Sequence, residues 1–388
     1  MTHTEQTHTK HRYAYKREQV LQSEPTKIYY ATDIETGEQS VLKILRPYED
    51  DRYKLQTPLR RKSCQIRAYC YNKLFTPDVY KALGAVEAIY ADEIVLADIF
   101  LNVSEARQEH IHYNEYALIM KYLEHNRRLD IVFRQLLAQS LEQQTTASLQ
   151  EYATLLAHRI AHMHNKWLAP LPHGHRWGDP VALCKKLLHN ENLLRNAVLE
   201  DSKKIQTLRQ EVLELLQVIY GKIVHPPYLC YFKHRIEQGW IRHCHGDLKS
   251  TNIWIMPSQE EEKEEEQLVQ SVKILDAIDF NKIYYNIDVL SDLAMLVVDM
   301  QAMIREVLAH HPSLSSIENT FLRRFIEEYL TRTGQVAGDE TKFVLGYYCL
   351  EKAIVRAAIE LPQNGAEIRR QALLELAADL LRTYFQPL

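Results

Sequence analysis

The segment 242–254 contains the residues of this sequence that are best suited to catalysis. Asp247 and Asn252 lie five residues apart, and the residues that follow at 253–256 have the composition of a β-strand. Phosphoryl transfer requires one carboxylate that orients the attacking hydroxyl and accepts its proton, and oxygen ligands for the magnesium bound to the phosphates. Asp247 can supply the carboxylate and Asn252 one of the ligands. The segment therefore predicts a catalytic loop that leads into a strand.

A second group of carboxylates follows downstream, again at the end of an apolar strand. Asp276 and Asp279 come directly after the mainly apolar residues 272–275, and Asp288 and Asp292 follow a short distance later. Carboxylate oxygens are ligands that Mg²⁺ accepts in proteins. Asp276 and Asp279 are therefore alternative metal ligands.

These motifs occur in an order that resembles a known superfamily of enzymes. H-G-D-L-x-x-x-N-I at 245–253 has the spacing of the kinase catalytic loop, with Gly246 where protein kinases carry arginine. I-D-F at 278–280 and D-L-A at 292–294 follow it. The set is similar to the aminoglycoside phosphotransferase superfamily of kinase-like enzymes. Within it, the chain resembles an uncharacterised subgroup that is often fused to a C-terminal P-loop ATPase.

The resemblance covers roughly residues 27–356 and implies an α+β, two-lobed protein-kinase-like fold. We expect a flexible tail at 1–22, an N-terminal nucleotide-binding lobe with a small antiparallel sheet at 23–120, and a mostly helical catalytic and acceptor lobe at 121–388. ATP and Mg²⁺ would bind between the lobes, and the γ-phosphate would be transferred to a hydroxyl of a small molecule.

The resemblance also assigns a role to each candidate site residue. Asp247 would act as the catalytic base or orienting group, and His245 and Asp292 would brace its loop. The residues expected to bind the nucleotide or its metal are Lys43, Met120, Leu123, Asn252 and Asp279. Among these, Met120 and Leu123 belong to the implied hinge between the lobes, and Asn252 and Asp279 would be the metal ligands.

Asp279 is preferred to Asp276 for two reasons that come from the resemblance. It is followed by Phe280, and its distance along the chain from Asp292 is similar to that in the family. Asp276 remains the alternative ligand.

Lys43 lies in an apolar strand predicted at 39–44. Burial of a lysine is unfavourable unless its ammonium has a partner, and the resemblance implies that ATP phosphate is this partner. The alternative is an edge-strand lysine that points toward solvent.

Two features depart from the family pattern. The helix predicted at 57–75 lacks the glutamate that kinases pair with this lysine, because Arg67 or Ala68 stands at its position. Gln65 is a neutral substitute one turn earlier, and without it Lys43 would lack a protein partner. The sequence also contains no G-x-G-x-x-G loop. These departures favour an alternative function, a pseudokinase that binds nucleotide and serves as an interaction module.

The acceptor side is assigned to a helix predicted at 343–361. Tyr348, Lys352 and Arg356 follow one another at intervals of four residues and therefore share one face. The corresponding helix of the resembling subgroup often has a tyrosine and an arginine, which implies two cations facing Asp247 and an anionic or phosphorylated acceptor. The alternative is a polar stripe exposed to solvent.

Composition limits the classes of function. The chain has 388 residues, of which 46% are hydrophobic and 25% charged, as in ordinary soluble globular proteins. A formal net charge of −4 argues against a dedicated nucleic-acid-binding protein. The six cysteines include no C-x-x-C pair, and no signal peptide or membrane-spanning run is evident, so we expect a cytoplasmic protein with reduced thiols. No P-loop motif occurs, so an ATPase would be a separate partner.

The remaining predicted elements are a hairpin at 27–44, a second hairpin at 87–100, a strand at 116–120, helices at 149–163 and 189–220, a buried structural histidine at 164 and an exposed acidic loop at 260–266.

Overall fold

In the computed structural model, the N-terminal part of the chain forms an antiparallel sheet and the remainder is mostly helical. The described residues are 10–23, 25–50, 54–108, 113–143, 145–167, 170–171, 175–197, 202–257, 269–309, 315–359 and 366–385. They form two compact units, residues 1–125 with 274–282 and residues 126–273 with 283–388. The predicted antiparallel sheet and helical remainder are confirmed. The two-lobed kinase-like arrangement and the boundary at 120/121 stay predictions.

The first unit is built around a closed antiparallel barrel. Its strands are β1 (His11–Ser23), β2 (Thr26–Asp33), β3 (Gln39–Leu45), β4 (Tyr80–Ile89), β5 (Glu93–Phe100) and β6 (Glu115–Lys121). Neighbours around the barrel follow the order β1, β2, β3, β6, β4, β5. Alternate side chains of these strands point inward, and the buried core includes Tyr29, Leu42, Leu96, Ala117 and Ile119.

Strand β1 corrects the prediction of a flexible tail at 1–22. Tyr13 lies opposite Asp33 of β2 and Ile94 of β5, so the first strand joins both of its neighbours. Its ring is buried in the barrel, and this burial, together with the pairing with two strands, favours an ordered strand although most of its residues are polar. Residues 1–9 lie outside the described part of the chain.

The hairpin predicted at 27–44 is confirmed as β2 and β3. Gly37 has a φ of +72° in the connecting turn, a conformation that glycine adopts without strain. The carboxylate of Asp33 accepts hydrogen bonds from the backbone N–H groups of Glu35 (2.9 Å) and Thr36 (3.1 Å). The second predicted hairpin and the strand at 116–120 also occur, as β4 with β5 and as β6.

The helix predicted at 57–75 is confirmed as α1 (Pro58–Phe75). The side chain of Thr57 caps it by accepting from the N–H of Arg60, and Pro58 occupies the first turn, where its missing N–H costs nothing. A second, short helix of this unit is α2 (Val103–Gln108).

The second unit consists mainly of helices. They are α3 (Leu129–Gln143), α4 (Ala147–His162), α5 (His175–Gly178), α6 (Pro180–Asn196), α7 (Lys203–Ile223), α8 (Tyr228–Glu237), α10 (Val289–Leu308), α11 (Ser315–Thr333), α12 (Asp339–Ile359) and α13 (Ala366–Tyr384), and the short α9 (Lys282–Tyr285) begins at the unit boundary. Two small sheets pair β7 (Ile241–His243) with β10 (Asn286–Asp288) and β8 (Ile253–Ile255) with β9 (Val272–Ile274).

Helix α10 is the apolar centre of this unit, because it is buried along most of its length. The predicted helix at 149–163 is confirmed as α4, whereas the stretch 189–220 is divided between α6 and α7. The acidic run 260–266 lies outside the described residues. Among the helices that the structure describes, none combines the length and the apolar character needed to cross a membrane.

Candidate active site

The predicted catalytic loop connects β7 to a short 3₁₀ turn, Ser250–Asn252, which leads directly into β8. Gly246 has a φ of +83° immediately before Asp247. This left-handed conformation is unfavourable for residues that have a Cβ. The backbone therefore favours glycine at the position where protein kinases carry arginine.

Asp247 lies between two side chains that it contacts directly. Its Oδ2 accepts from the ammonium of Lys249 at 2.8 Å and from Nδ2 of Asn252 at 3.1 Å. The same Nδ2 also donates to the backbone carbonyl of Asp247 at 2.9 Å. Because the amide nitrogen is directed at Asp247, the Oδ1 of Asn252 points elsewhere and can serve as an oxygen ligand.

Lys249 is a site residue that the sequence analysis missed. The N–H of Lys249 donates to the backbone carbonyl of Asp247 at 2.9 Å, and this tight turn accompanies the contact between the two side chains. An ammonium at this distance can stabilise negative charge that develops near the carboxylate.

Asp292 anchors the first half of the loop. Its carboxylate accepts from the backbone N–H groups of His245 (3.0 Å) and Gly246 (2.8 Å). Nε2 of His164 contacts it at 3.2 Å, and Nδ1 of the same ring contacts the hydroxyl of Tyr329 at 2.7 Å. Burial alone would raise the pKa of Asp292, but these hydrogen bonds and the neighbouring imidazoles hold it below its ordinary value.

The segment 243–245 does not gather its histidines into a metal site. The ring of His243 stacks on Tyr285 with centroids 4.1 Å apart, whereas the ring of His245 is buried and its Nδ1 accepts from the N–H of Asp247 at 3.3 Å. Ligand atoms of Cys244, His164 and Asp292 lie within 4.8 Å of one another. Each of these three groups already has a hydrogen-bond partner. His164 and Asp292 have the partners given above, and the thiol of Cys244 donates to the backbone carbonyl of Ile287.

Lys43, in the first unit, has a protein partner that the sequence did not reveal. Its ammonium lies 2.5 Å from Oδ1 of Asp276, and this negative charge raises the pKa of Lys43 although burial opposes the shift. Gln65 does not substitute for the missing helix glutamate, since its Nε2 donates to the backbone carbonyls of Lys43 (2.7 Å) and Tyr116 (3.1 Å). The prediction that Lys43 would otherwise lack a partner is therefore wrong.

The backbone around Asp276 is held in an unusual conformation. Its φ of +63° is uncommon for a residue with a side chain. The hydroxyl of Tyr80 accepts from its N–H at 2.9 Å, and Oδ1 of Asn72 accepts from the N–H of Ala277 at 2.7 Å. These bonds direct the carboxylate toward Lys43.

Asp279 lies in the same charged group and is half-buried. Burial raises its pKa to about 6, while the charges of Lys43 and Arg67 oppose the shift. Arg67 occupies one of the positions where the family has glutamate, so helix α1 contributes a cation to this group instead of an anion. The first unit thus places both candidate metal ligands close to Lys43.

The implied hinge residues lie at the end of β6 and just beyond it. Met120 pairs with Val41 on one side and Tyr80 on the other, so β6 is an internal strand of the barrel. Leu123 is buried. Their role in binding adenine stays a prediction.

The predicted acceptor stripe lies on α12. Tyr348 and Lys352 are buried, so the alternative of a solvent-exposed stripe is wrong. Lys352 forms an ion pair with Glu351 at 2.9 Å, and Arg356 lies 3.4 Å from Asp299. A buried ammonium needs a nearby counter-charge, and Glu351 supplies it for Lys352. The role of the stripe in binding an acceptor stays a prediction.

The chain is similar to solved structures of other proteins at low sequence identity. No family model and no curated protein matches the chain. Among solved structures, it is similar to an ethanolamine kinase from Plasmodium vivax, with 11% identity and a TM-score of 0.43 over 94% of this chain and 83% of that one. It is also similar to a choline kinase from Cryptosporidium parvum Iowa II, with 12% identity and a TM-score of 0.48 over 96% and 93% of the two chains.

Proposed function

We propose that the chain is an ATP- and Mg²⁺-dependent phosphotransferase that transfers the γ-phosphate to a hydroxyl of a small molecule. The observation that carries this proposal is the arrangement around Asp247, a partly exposed carboxylate with the ammonium of Lys249 and the amide of Asn252 beside it. The loop that carries these groups is anchored by buried hydrogen bonds, as a catalytic group requires for a fixed orientation.

The proposed reaction assigns a separate task to each side chain. The acceptor hydroxyl donates a hydrogen bond to Asp247, and its oxygen attacks the γ-phosphorus while the bond to the β,γ-bridging oxygen breaks. The proton moves to Asp247 and later to solvent, and ADP is the leaving group. Lys249, beside Asp247, contributes positive charge that would stabilise the negative charge spread over the transferred group. Lys43 would bind a phosphate of the nucleotide.

The candidate metal ligands are all oxygen donors. Asn252 offers an amide oxygen, and Asp276 and Asp279 offer carboxylates; Mg²⁺ prefers oxygen ligands of this kind. When bound, Mg²⁺ would neutralise charge on the β- and γ-phosphates. Asp279 is the ligand that the sequence favours, and Asp276 is the alternative.

A pseudokinase that binds nucleotide is the second candidate function. It is favoured by the pairing of Lys43 with Asp276, which differs from the lysine–glutamate pair that active protein kinases form with their helix. In this alternative the chain would bind nucleotide as an interaction module without transferring phosphate.

Binding of Mg·ATP is the first property to test. A ligand that binds only the folded state raises the melting temperature by mass action, and a concentration of about 100 times Kd stabilises by roughly 2.7 kcal/mol. We expect a thermal shift with Mg·ATP that is reduced when Mg²⁺ is omitted. The metal-dependent part should disappear in Asp279→Asn if this residue is the ligand, and in Asp276→Asn if the alternative is right.

Asp98→Asn is the matched control, because Asp98 lies in the same unit on β5, where its carboxylate faces Tyr113. It should leave the shift unchanged. The absence of any shift at millimolar Mg·ATP would contradict both the enzyme and the nucleotide-binding pseudokinase.

A further inference from the structure

The catalytic loop has a second anchor on α10, to which the proposed reaction gives no role. The Oδ2 of Asp299 accepts from the backbone N–H of Ser250 at 2.8 Å and also from its hydroxyl. Asp299 is only 3% exposed. Both donor groups of Ser250 are therefore directed at one buried carboxylate.

The two anchors lie on the same helix and on either side of Asp247. Asp292 and Asp299 are seven residues apart, which is about two turns of α10 and places them on one face. Asp292 accepts from the backbone N–H groups of the two residues before Asp247, and Asp299 accepts from the backbone N–H of Ser250. Asn252 lies two residues after Ser250, at the end of the 3₁₀ turn that Ser250 begins.

The negative charge of Asp299 is balanced by arginines of two helices, α12 and α13. Arg369 of α13 donates to its Oδ1 and also to Oε1 of Glu306 at 2.8 Å, and Arg356 lies 3.4 Å away. Burial alone would raise the pKa of Asp299, but the two arginines and the hydrogen bonds from Ser250 hold it below its ordinary value. The anchor therefore stays an anion, which accepts stronger hydrogen bonds than a neutral group.

We propose that Asp299 is a positioning residue, which fixes the turn at Ser250 and so places the amide oxygen of Asn252 for metal binding. The proposal rests on the proposed function, because it takes Asn252 as a ligand of the metal. It extends that function to a residue on α10 and to Arg369, which is far from the motif in the sequence.

Asp299→Asn tests the proposal with two measurements on the full chain. The amide oxygen can replace only one carboxylate oxygen, so a bond to Ser250 or to Arg369 must be lost. Hydrogen exchange followed by mass spectrometry should show faster exchange in peptides that cover the loop. The affinity for Mn²⁺ in the presence of ADP, measured by electron paramagnetic resonance, should fall about tenfold or more, as is usual when a group that orients a metal ligand is removed.

Glu306→Gln is the matched control. It removes the negative charge of the other partner of Arg369 on the same helix and leaves the contact between Asp299 and Ser250 intact, so exchange in the loop and Mn²⁺ affinity should stay as in the wild type. If Asp299→Asn does not fold, Ser250→Ala replaces it, because this change removes only the hydroxyl bond; we expect a smaller effect in the same direction.

The possible outcomes separate this inference from the proposed function. Unchanged loop exchange in the anchor variants would overturn the anchor itself, whether or not the wild type binds nucleotide. Faster exchange with unchanged Mn²⁺ affinity would overturn the positioning role while the proposed function stands. A wild type that binds no Mn·ADP would overturn the proposed function and, with it, the link from Asp299 to metal binding.

Discussion

Asp247→Asn is expected to reduce turnover by about a hundredfold or more while it leaves the affinity for Mg·ATP nearly unchanged. The amide retains the shape of the carboxylate but cannot accept the proton of the acceptor hydroxyl, and loss of a positioned acid–base group usually costs 10²–10⁴ in rate. A screen of small-molecule alcohols with labelled ATP would first identify the acceptor. Single-turnover kinetics on that acceptor would then separate the chemical step from binding.

Asp379→Asn is the control for Asp247→Asn. Asp379 is an exposed carboxylate that pairs with Arg305 at 2.9 Å, so its loss should not affect turnover. If the wild type and Asp247→Asn hydrolyse ATP equally slowly and no acceptor is found, the pseudokinase is the better description.

Glu351→Gln is expected to have the largest effect on stability. The Glu351 carboxylate is buried between two lysines, with Lys352 at 2.9 Å and Lys186 at 3.4 Å, and it accepts from Asn190 at 2.9 Å. Burial lowers the pKa of Lys186 to about 8 even with this anion beside it. Breaking a buried ion pair by removing one partner typically costs 3–5 kcal/mol, and we expect a loss of this size in chemical denaturation.

The same residue should make unfolding depend on pH in the acid range. Burial would raise the pKa of Glu351, but the two lysines lower it from 4.5 to about 2. Because the folded-state pKa is depressed, the stabilisation is fully present above pH 4.5 and is lost as the pH falls toward 2. This part of the pH dependence should be absent in Glu351→Gln.

Glu340→Gln on the same helix is the control for Glu351→Gln. Glu340 contacts the half-exposed His234 at 3.1 Å, and surface pairs contribute at most about 1 kcal/mol. Equal losses of stability in the two variants would contradict the assignment of Glu351 to a buried charge cluster.

The elements with strong local signals could be predicted from the sequence. Helix α1 is marked by a threonine cap and a proline at 57–58, and the hairpin β2–β3 by a glycine turn between two runs of strand-forming residues. Strand β1 gives no such signal, because most of its residues are polar and only the pairing with two other strands buries Tyr13. Burial of that kind depends on the tertiary fold.

The contacts of the candidate site likewise include some that a local sequence pattern predicts and others that depend on the tertiary fold. The spacing of Asp247 and Asn252 is local, and the structure brings the two side chains into contact. The partner of Lys43 could not be predicted, since Asp276 lies 233 residues away along the chain. The burial of the stripe on α12 could not be predicted, because helical periodicity identifies residues that share a face but not how many neighbours surround the helix. Helix α12 is buried on several sides.

Closure of the barrel by β1 has a practical consequence for handling the protein. Both β2 and β5 use the first strand as a hydrogen-bonding neighbour. Residues 1–22 were predicted to be a flexible tail. Their removal would leave two strand edges with unpaired N–H and C=O groups. Such edges are templates for pairing with other chains. Trimming the N-terminus to improve solubility would therefore promote self-association and precipitation instead.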